Sequence, residues 1–279
     1  MSQKIAIGSV PLGGDAPLLL VAGPCVIESL SLSLETARAL KAIASKLGVG
    51  LVFKSSFDKA NRSSLESFRG PGLDKGLQIL ADVKSAVGVP VVSDIHEAWQ
   101  APVAAQVLDF IQIPAFLARQ TDLLVAASDS GRPVNVKKAQ FMAPGDMERA
   151  VLKMASRPNF RGLSLCERGT TFGYRNLVVD MRSLVIMRSF GWPVIFDATH
   201  SVQLPAAAGD KSSGERQFIP ALARAAVAVG VDGLFVETHP SPENALCDSA
   251  NQWPLDRLES LLTSLIAIRA SLGAEAYAP

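Results

Sequence analysis

Leu18-Leu19-Leu20-Val21-Ala22-Gly23-Pro24-Cys25-Val26 is the stretch on which the fold turns. Its apolar run before Gly23 reads as a strand buried on both faces, the habit of a parallel sheet. The residues from Gly23 onward decide which parallel sheet. An open, doubly wound sheet that binds a dinucleotide carries a Gly-x-Gly-x-x-Gly turn directly after its first strand. Here that place holds Gly23-Pro24-Cys25-Val26. Working outward, short runs rich in Val, Ile and Phe return at 50–54, 90–94, 110–113, 133–137, 162–166, 193–197 and 233–237. Segments of helical period separate them. Eight near-continuously apolar strands, each followed by a helix, predict an α/β protein with a closed (β/α)8 TIM barrel, the open doubly wound sheet being the alternative.

The helices are legible from their stripes and stops. Leu34, Ala37, Leu40, Ile43, Ala44 and Leu47 share one face, with Ser33 as cap and Gly48 as stop. At the far end Pro254 fits a first helical position. Leu258, Leu261, Leu262, Leu265 and Leu272 share a face there, and Gly273 stands where the helix should end. Residues 4–15 predict a short N-terminal β-hairpin able to plug the barrel bottom. With no repeat, linker or low-complexity tract, residues 1–279 parse as one barrel domain.

Composition narrows the function classes. A chain of 279 residues, 48% hydrophobic, is long enough for a large core. Lys and Arg number 27 against 26 Asp and Glu, so no overall basic field draws it to nucleic acid or anionic lipid, and any anion site is local. No run approaches the ~20 apolar residues of a membrane span, and the first fifteen residues lack a signal-peptide pattern, so the expected location is cytoplasmic. Cys25, Cys166 and Cys247 are too few and scattered for a disulfide framework, and read as buried thiols or as metal or redox ligands.

Barrel enzymes build their sites at the carboxyl ends of the strands. Cys25 and Glu28, Lys54 and Ser56, Asp94 and His96, Gln112, Lys137 and Lys138, Glu167 and Arg168, Asp197 and His200, and Glu237 and His239 all fall there. Any one of them alone is ordinary as a cap or a solvated loop residue; a closed sheet makes them neighbours. Cys25, His200, Glu237 and the downstream Asp248 offer a thiolate, an imidazole and two carboxylates, a set suited to Zn2+, Fe2+ or Mn2+. Without a local Cys-x-x-Cys or His-Glu-x-x-His pattern, the same residues also read as a buried thiol and a hydrogen-bonding histidine. The irregular stretch 54–64, with Lys54, Lys59 and Arg62 among hydroxyls and Asn61, can wrap a phosphate or be a solvated basic loop. Lys137 and Arg168, read as lying across the ring, form a second anion pocket. Two such pockets point to two phosphorylated substrates.

At these residues the chain resembles 3-deoxy-D-manno-octulosonate 8-phosphate synthases across nearly its whole length. The stretches that carry the resemblance include Gly23-Pro24-Cys25-Val26-Ile27-Glu28-Ser29, Phe57-Asp58-Lys59-Ala60-Asn61-Arg62-Ser63-Ser64, and Gln112-Ile113-Pro114-Ala115-Phe116-Leu117-Ala118-Arg119. Asn135-Val136-Lys137-Lys138, Phe172-Gly173-Tyr174 and Phe196-Asp197-Ala198-Thr199-His200-Ser201 complete them. The related 3-deoxy-arabino-heptulosonate 7-phosphate synthases have Lys-Pro-Arg-Thr where this chain has Lys59-Ala60-Asn61-Arg62. That family is the alternative, together with a non-catalytic phosphosugar-binding barrel.

The resemblance implies condensation of phosphoenolpyruvate with arabinose 5-phosphate, a step of lipopolysaccharide biosynthesis. It implies Lys54, Ser56, Gln112, Pro114, Ala115, Lys137, Arg168 and His200 around phosphoenolpyruvate, and Lys59, Asn61, Arg62, Ser63 and Asp94 around the pentose. It further implies a homotetramer in which Phe116 and Arg119 reach a neighbouring subunit's site. Cysteine at position 25 is similar to the metal-dependent branch, with Cys25, His200, Glu237 and Asp248 as ligands. Lys59, His200, Asp94 and Asp248 are the expected catalytic residues.

Overall fold

The computed structural model describes residues 2–61, 66–172, 176–208 and 211–273. Its centre is a ring of parallel strands: β1 Leu19–Gly23, β2 Gly50–Lys54, β3 Val91–Asp94, β4 Phe110–Ile113, β5 Val134–Lys137, β6 Leu163–Glu167, β7 Val194–Asp197 and β8 Gly233–His239. Each pairs with the next, β8 also pairs with β1, and β7–β8 pairing at Ile195 and Gly233 closes the ring. The eight-stranded barrel is therefore closed, and the open-sheet alternative is excluded.

Helices α1 Leu30–Leu47, α2 Leu73–Val87, α3 Gln100–Ala104, α4 Thr121–Asp129, α5 Met147–Ala155, α6 Arg182–Arg188, α7 Ile219–Val229 and α8 Leu258–Ser271 follow the strands in turn. Strand alternation divides the apolar residues between two cores. Leu20, Ala22, Leu51, Phe53, Ile111 and Leu165 face outward into the layer packed by helices. Leu19, Val21, Val52, Val92, Phe110, Ile195 and Phe235 face inward and form their own cluster. Ile5, Ile7 and Leu12 belong to that inner cluster. They come from an antiparallel hairpin, Ile5–Ile7 with Val10–Leu12. Its Gly8 lies against Pro90 and Asp109, and its Val10 against Gly50, residues that precede or open strands, so the hairpin closes the amino end of the barrel.

Three local expectations need correction. Helix α1 begins a turn earlier than position 34: Ser29, not Ser33, is the cap, its Oγ accepting from the Leu32 N–H at 3.1 Å. Ser33 lies inside the helix and its hydroxyl donates back to the Ser29 carbonyl. Both serines suit a cap, and the extended backbone of Ser29 selects it. At the other end Pro254 does not open α8. It pairs as a short strand residue beside His239 and caps a 3-10 turn at Leu255–Arg257, so the helix proper starts at Leu258. Leu272 is extended backbone after the helix and leaves the stripe of Leu258, Leu261, Leu262 and Leu265, which is buried.

Candidate active site

The same alternation that fills the barrel with hydrocarbon brings polar groups to its mouth. Counting in steps of two along the inward face, Val52 leads to Lys54, Val92 to Asp94, Phe110 to Gln112, Ile195 to Asp197 and Phe235 to Glu237. Asn135 leads likewise to Lys137. All are buried, Lys54 and Glu237 at 1% exposure each. Charges so deep persist only when paired. Lys54 Nζ donates to Glu237 Oε1 at 2.5 Å and to the Cys25 carbonyl at 2.8 Å. Gly23 makes room for this, because a Cβ there would stand 2.0 Å from the Lys54 carbonyl oxygen.

Lys54 and Lys137 do not belong to pockets across the ring from each other. Their ammonium groups stand 5.4 and 3.4 Å from the centroid of one ring, Phe235, which draws both cations over its face. Lys137 also donates to Asp197 Oδ2, the oxygen that meets His200 Nδ1 at 2.7 Å. One carboxylate thus ties the cation to the imidazole. It also orients the ring so that Nε2 lies 3.6 Å from Glu237 Oε2 and 3.8 Å from Asp248 Oδ2. Burial works to raise the pKa of Asp197, but His200 and Lys137 outweigh it and hold the carboxyl well below the usual range. In Glu237 burial is likewise overcome, by Lys54, His200, Lys59 and Lys137, and the pKa is lowered.

On the other side of the mouth runs a hydrogen-bonded belt. Ser56 Oγ and Gln112 Nε2 each donate to Asp94 at 2.5 Å, Asn135 Nδ2 donates to Gln112 Oε1 at 2.8 Å, and Ser164 Oγ donates to Asn135 Oδ1 at 2.8 Å. Lys59 bridges the two halves from the loop after β2, with Nζ 3.6 Å from Glu237 Oε1. Burial opposes its charge, yet the surrounding Cys25, Glu237, Cys247 and Asp94 raise its pKa well above the ordinary lysine value. Arg168 donates through Nη2 to Gln203, whose amide donates to Asp248 Oδ2 at 3.3 Å. Arg168 Nη1 is buried and has no hydrogen-bond partner among the described residues.

Donors for a cation fall into two overlapping triads that share Asp248. His200, Glu237 and Asp248 form one, and Cys25, Cys247 and Asp248 the other; within each, the ligand atoms lie within 4.8 Å of one another. The residues fit a divalent ion. Glu237 Oε2 is buried and accepts no hydrogen bond among the described residues, and His200 places Nε2 3.6 Å from it. Nitrogen, carboxylate and sulfur donors together match Zn2+, Fe2+ or Mn2+. Asp248 has φ 46, the one positive φ outside glycine among the described residues, so backbone strain is spent where this carboxylate is aimed.

Not every expected residue joins the cluster. Asn61, Phe116 and Arg119 are exposed, and among the described residues the hydrogen bonds of the mouth reach none of them. Pro114 is half-buried and Ala115 buried, where β4 gives way to a 3-10 turn. Arg62 and Ser63 lie outside the described residues. Sequence reading missed Asp197 as the group joining Lys137 to His200, Phe235 beneath the two lysines, Asn135 in the belt, and Cys247 beside Cys25. Asn135 had a signal, a polar residue in an inward register between Val134 and Val136. Cys247 had another, a second sulfur adjoining Asp248.

A profile of the DAHP synthetase I family matches residues 2–272. The chain is 58% identical over 270 residues to the 2-dehydro-3-deoxyphosphooctonate aldolase of Syntrophotalea carbinolica, covering 97% of both chains. The protein of that name from Geobacter sulfurreducens is 58% identical, over 97% of this chain and 99% of its own. Its counterpart in an Azoarcus species is 57% identical over 92% of each.

Proposed function

Since the chain belongs to the DAHP synthetase I family, and its near-full-length relatives are 2-dehydro-3-deoxyphosphooctonate aldolases, we infer that it is an enzyme of that activity, a 3-deoxy-D-manno-octulosonate 8-phosphate synthase. It joins phosphoenolpyruvate, arabinose 5-phosphate and water into the eight-carbon sugar phosphate and inorganic phosphate, a cytoplasmic step toward lipopolysaccharide. The observation that carries the reading is the convergence of Lys54 and Lys137 on one ring, in a mouth that also holds the buried Arg168, whose Nη1 has no hydrogen-bond partner among the described residues.

In this reading C3 of phosphoenolpyruvate attacks the open-chain aldehyde, water adds at C2, and the hemiketal phosphate collapses with C–O cleavage. The chain's own part is positioning two anions that repel each other. Lys54, Lys137 and Arg168 neutralise the phosphate and carboxylate of phosphoenolpyruvate, with Ser56, Gln112, Pro114 and Ala115 shaping its seat. Lys59, Asn61, Arg62, Ser63 and Asp94 take the pentose. Phe116 and Arg119, exposed on one protomer, complete the site of a neighbour in a homotetramer.

Cys25, His200, Glu237 and Asp248 would hold a divalent cation. When bound there, its chemistry is that of a Lewis acid toward the aldehyde or of a water with lowered pKa. Asp197 keeps Nδ1 of His200 engaged, leaving Nε2 as the ligand atom. Lys59, its Nζ 3.6 Å from Glu237 Oε1, acts as an electrostatic partner of the aldehyde end, and failure of borohydride to trap substrate on the protein would separate this from a Schiff-base role.

Phosphate release measured with phosphoenolpyruvate and either arabinose 5-phosphate or erythrose 4-phosphate tests the reading. The pentose is expected to be the faster substrate. Preference for erythrose 4-phosphate would hand the chain to the heptulosonate synthases, and no release with either would leave a binding barrel. Dialysis against a chelator is expected to abolish the rate, and re-addition of Zn2+ or Mn2+ to restore it.

A further inference from the structure

We propose that Cys247 is a second sulfur donor to the cation, so that the site presents a Cys25–Cys247 dithiol besides its imidazole and carboxylates. This rests on the proposed cation site and adds a ligand to it.

The two sulfurs come from positions 222 residues apart, yet Cys25 Sγ lies 3.0 Å from Cys247 Sγ. Both side chains are buried, at 0% and 2% exposure, and with Val26 they form a small cluster apart from the two large cores. The juxtaposition is built by a third residue. Gln252, fully buried, accepts through Oε1 from the Cys25 N–H at 3.2 Å and donates through Nε2 to the Cys247 carbonyl at 2.9 Å. A single side-chain amide therefore clamps both cysteine backbones. The loop between is a tight turn, in which the Asn251 and Gln252 N–H groups donate to the Asp248 carbonyl at 2.9 and 3.2 Å. That turn delivers Cys247 and Asp248 together, and Asp248 is the member common to both triads of candidate donors.

Two thiols in so dry a place have few acceptors for their protons beyond each other. A divalent cation changes this, because the sulfurs bind it as thiolates and each gives up its proton to solvent. Two thiolates at the usual Zn–S length, with a near-tetrahedral angle between them at the ion, stand about 3.8 Å apart. The sulfurs are nearer than that already, and ligation asks only that they part by less than an ångström. A second sulfur makes the site softer, favouring Zn2+ and Cd2+ over Mn2+.

The test uses Cd2+ itself on metal-stripped full-length protein kept under a phosphine reductant, reading the ultraviolet sulfur-to-cadmium charge-transfer absorbance per bound ion. Wild type is expected to give about twice the absorbance of Cys247→Ser and of Cys25→Ser, since the band scales with the number of Cd–S bonds. The double variant should give none, and Cys166→Ser the wild-type value. A Cys247→Ser band equal to wild type, with loss only in Cys25→Ser, overturns the proposal and leaves the cation site standing. Absence of Cd2+ binding by wild type removes the cation site as well. Cadmium-113 resonance of the unmutated protein distinguishes the same outcomes if a variant fails to fold. A shift in the two-sulfur region supports the dithiol, and one in the single-sulfur region excludes it.

Discussion

At the amino end of the barrel, Ile5, Ile7 and Leu12 pack on Leu19, Val21, Val52 and Phe110. At the carboxyl end Lys54, Glu237, Lys137 and Asp197 are sealed just as deeply. Polar groups exist at both ends, and they are handled differently. Near the amino end Asp232 takes hydrogen bonds from Ser2 Oγ, Arg188 Nη2 and the Val194 N–H, and Asp109 from Lys84 and the Val91 N–H. Their capacity is consumed by the protein. At the mouth, Glu237 Oε2 and Arg168 Nη1 are buried and have no hydrogen-bond partner among the described residues, which leaves both open to a ligand. The contrast separates a region that works for stability from one that works for binding.

Lys54→Met is the sharpest way to probe that division. It leaves the Glu237 carboxylate buried without its main partner, and should cost about 4 kcal/mol in denaturant unfolding. Phosphate release should fall at least about 100-fold with it. A Lys54→Met protein of unchanged stability would mean that the mouth does not depend on its ion pairs. Ile7→Ala tests the opposite end, with an expected loss of about 3 kcal/mol from the cavity left behind. Its kcat and KM should match wild type at temperatures where it stays folded. A change in KM would show that the hairpin reaches the chemistry.

Acid sharpens the comparison further. Burial alone would raise the Asp94 pKa, but Lys54, Lys59, His96 and Lys137 prevail and lower it far below the ordinary carboxylate value. A group depressed on folding contributes stability that is complete above its unfolded pKa, about 3.9, and disappears as pH falls from there toward the folded value. Unfolding free energy measured from pH 6 downward should therefore decline below about pH 4, and less steeply in Asp94→Asn. The smallest effect belongs outside the barrel. Ser29→Ala should lose about 1 kcal/mol from the start of α1, with activity unaltered, whereas Ser33→Ala should lose less. A larger loss in Ser33→Ala than in Ser29→Ala would return the cap to Ser33.

Much of this was legible because inward and outward positions alternate strictly. The strands at 50–54 and 110–113 were read to the residue, and the turn at Gly23-Pro24 counted against the dinucleotide sheet, which only the closure of the ring excludes. Boundaries failed where two neighbours had equal claims, as with Ser29 and Ser33, or where proline suited two roles, as with Pro254. The lysines, His200 and Glu237 could be gathered from strand ends alone. Their pairing could not. Which carboxylate takes Lys54 and which takes Lys137 depends on side-chain reach across the ring, and Asp197 serves two partners at once. Cys247 escaped because a loop of irregular turns, clamped by Gln252 and not by any periodic pattern, brings it to Cys25.

The filled interior has a consequence for traffic. A vessel packed with hydrocarbon below its mouth has a single doorway, so whatever enters deepest is the last able to depart. If phosphoenolpyruvate sits on Phe235 with the pentose above it, loading must follow a fixed sequence, and adding the pentose in excess should obstruct the enzyme. Initial-rate patterns would then reveal a queue where two separate entrances would permit random arrival.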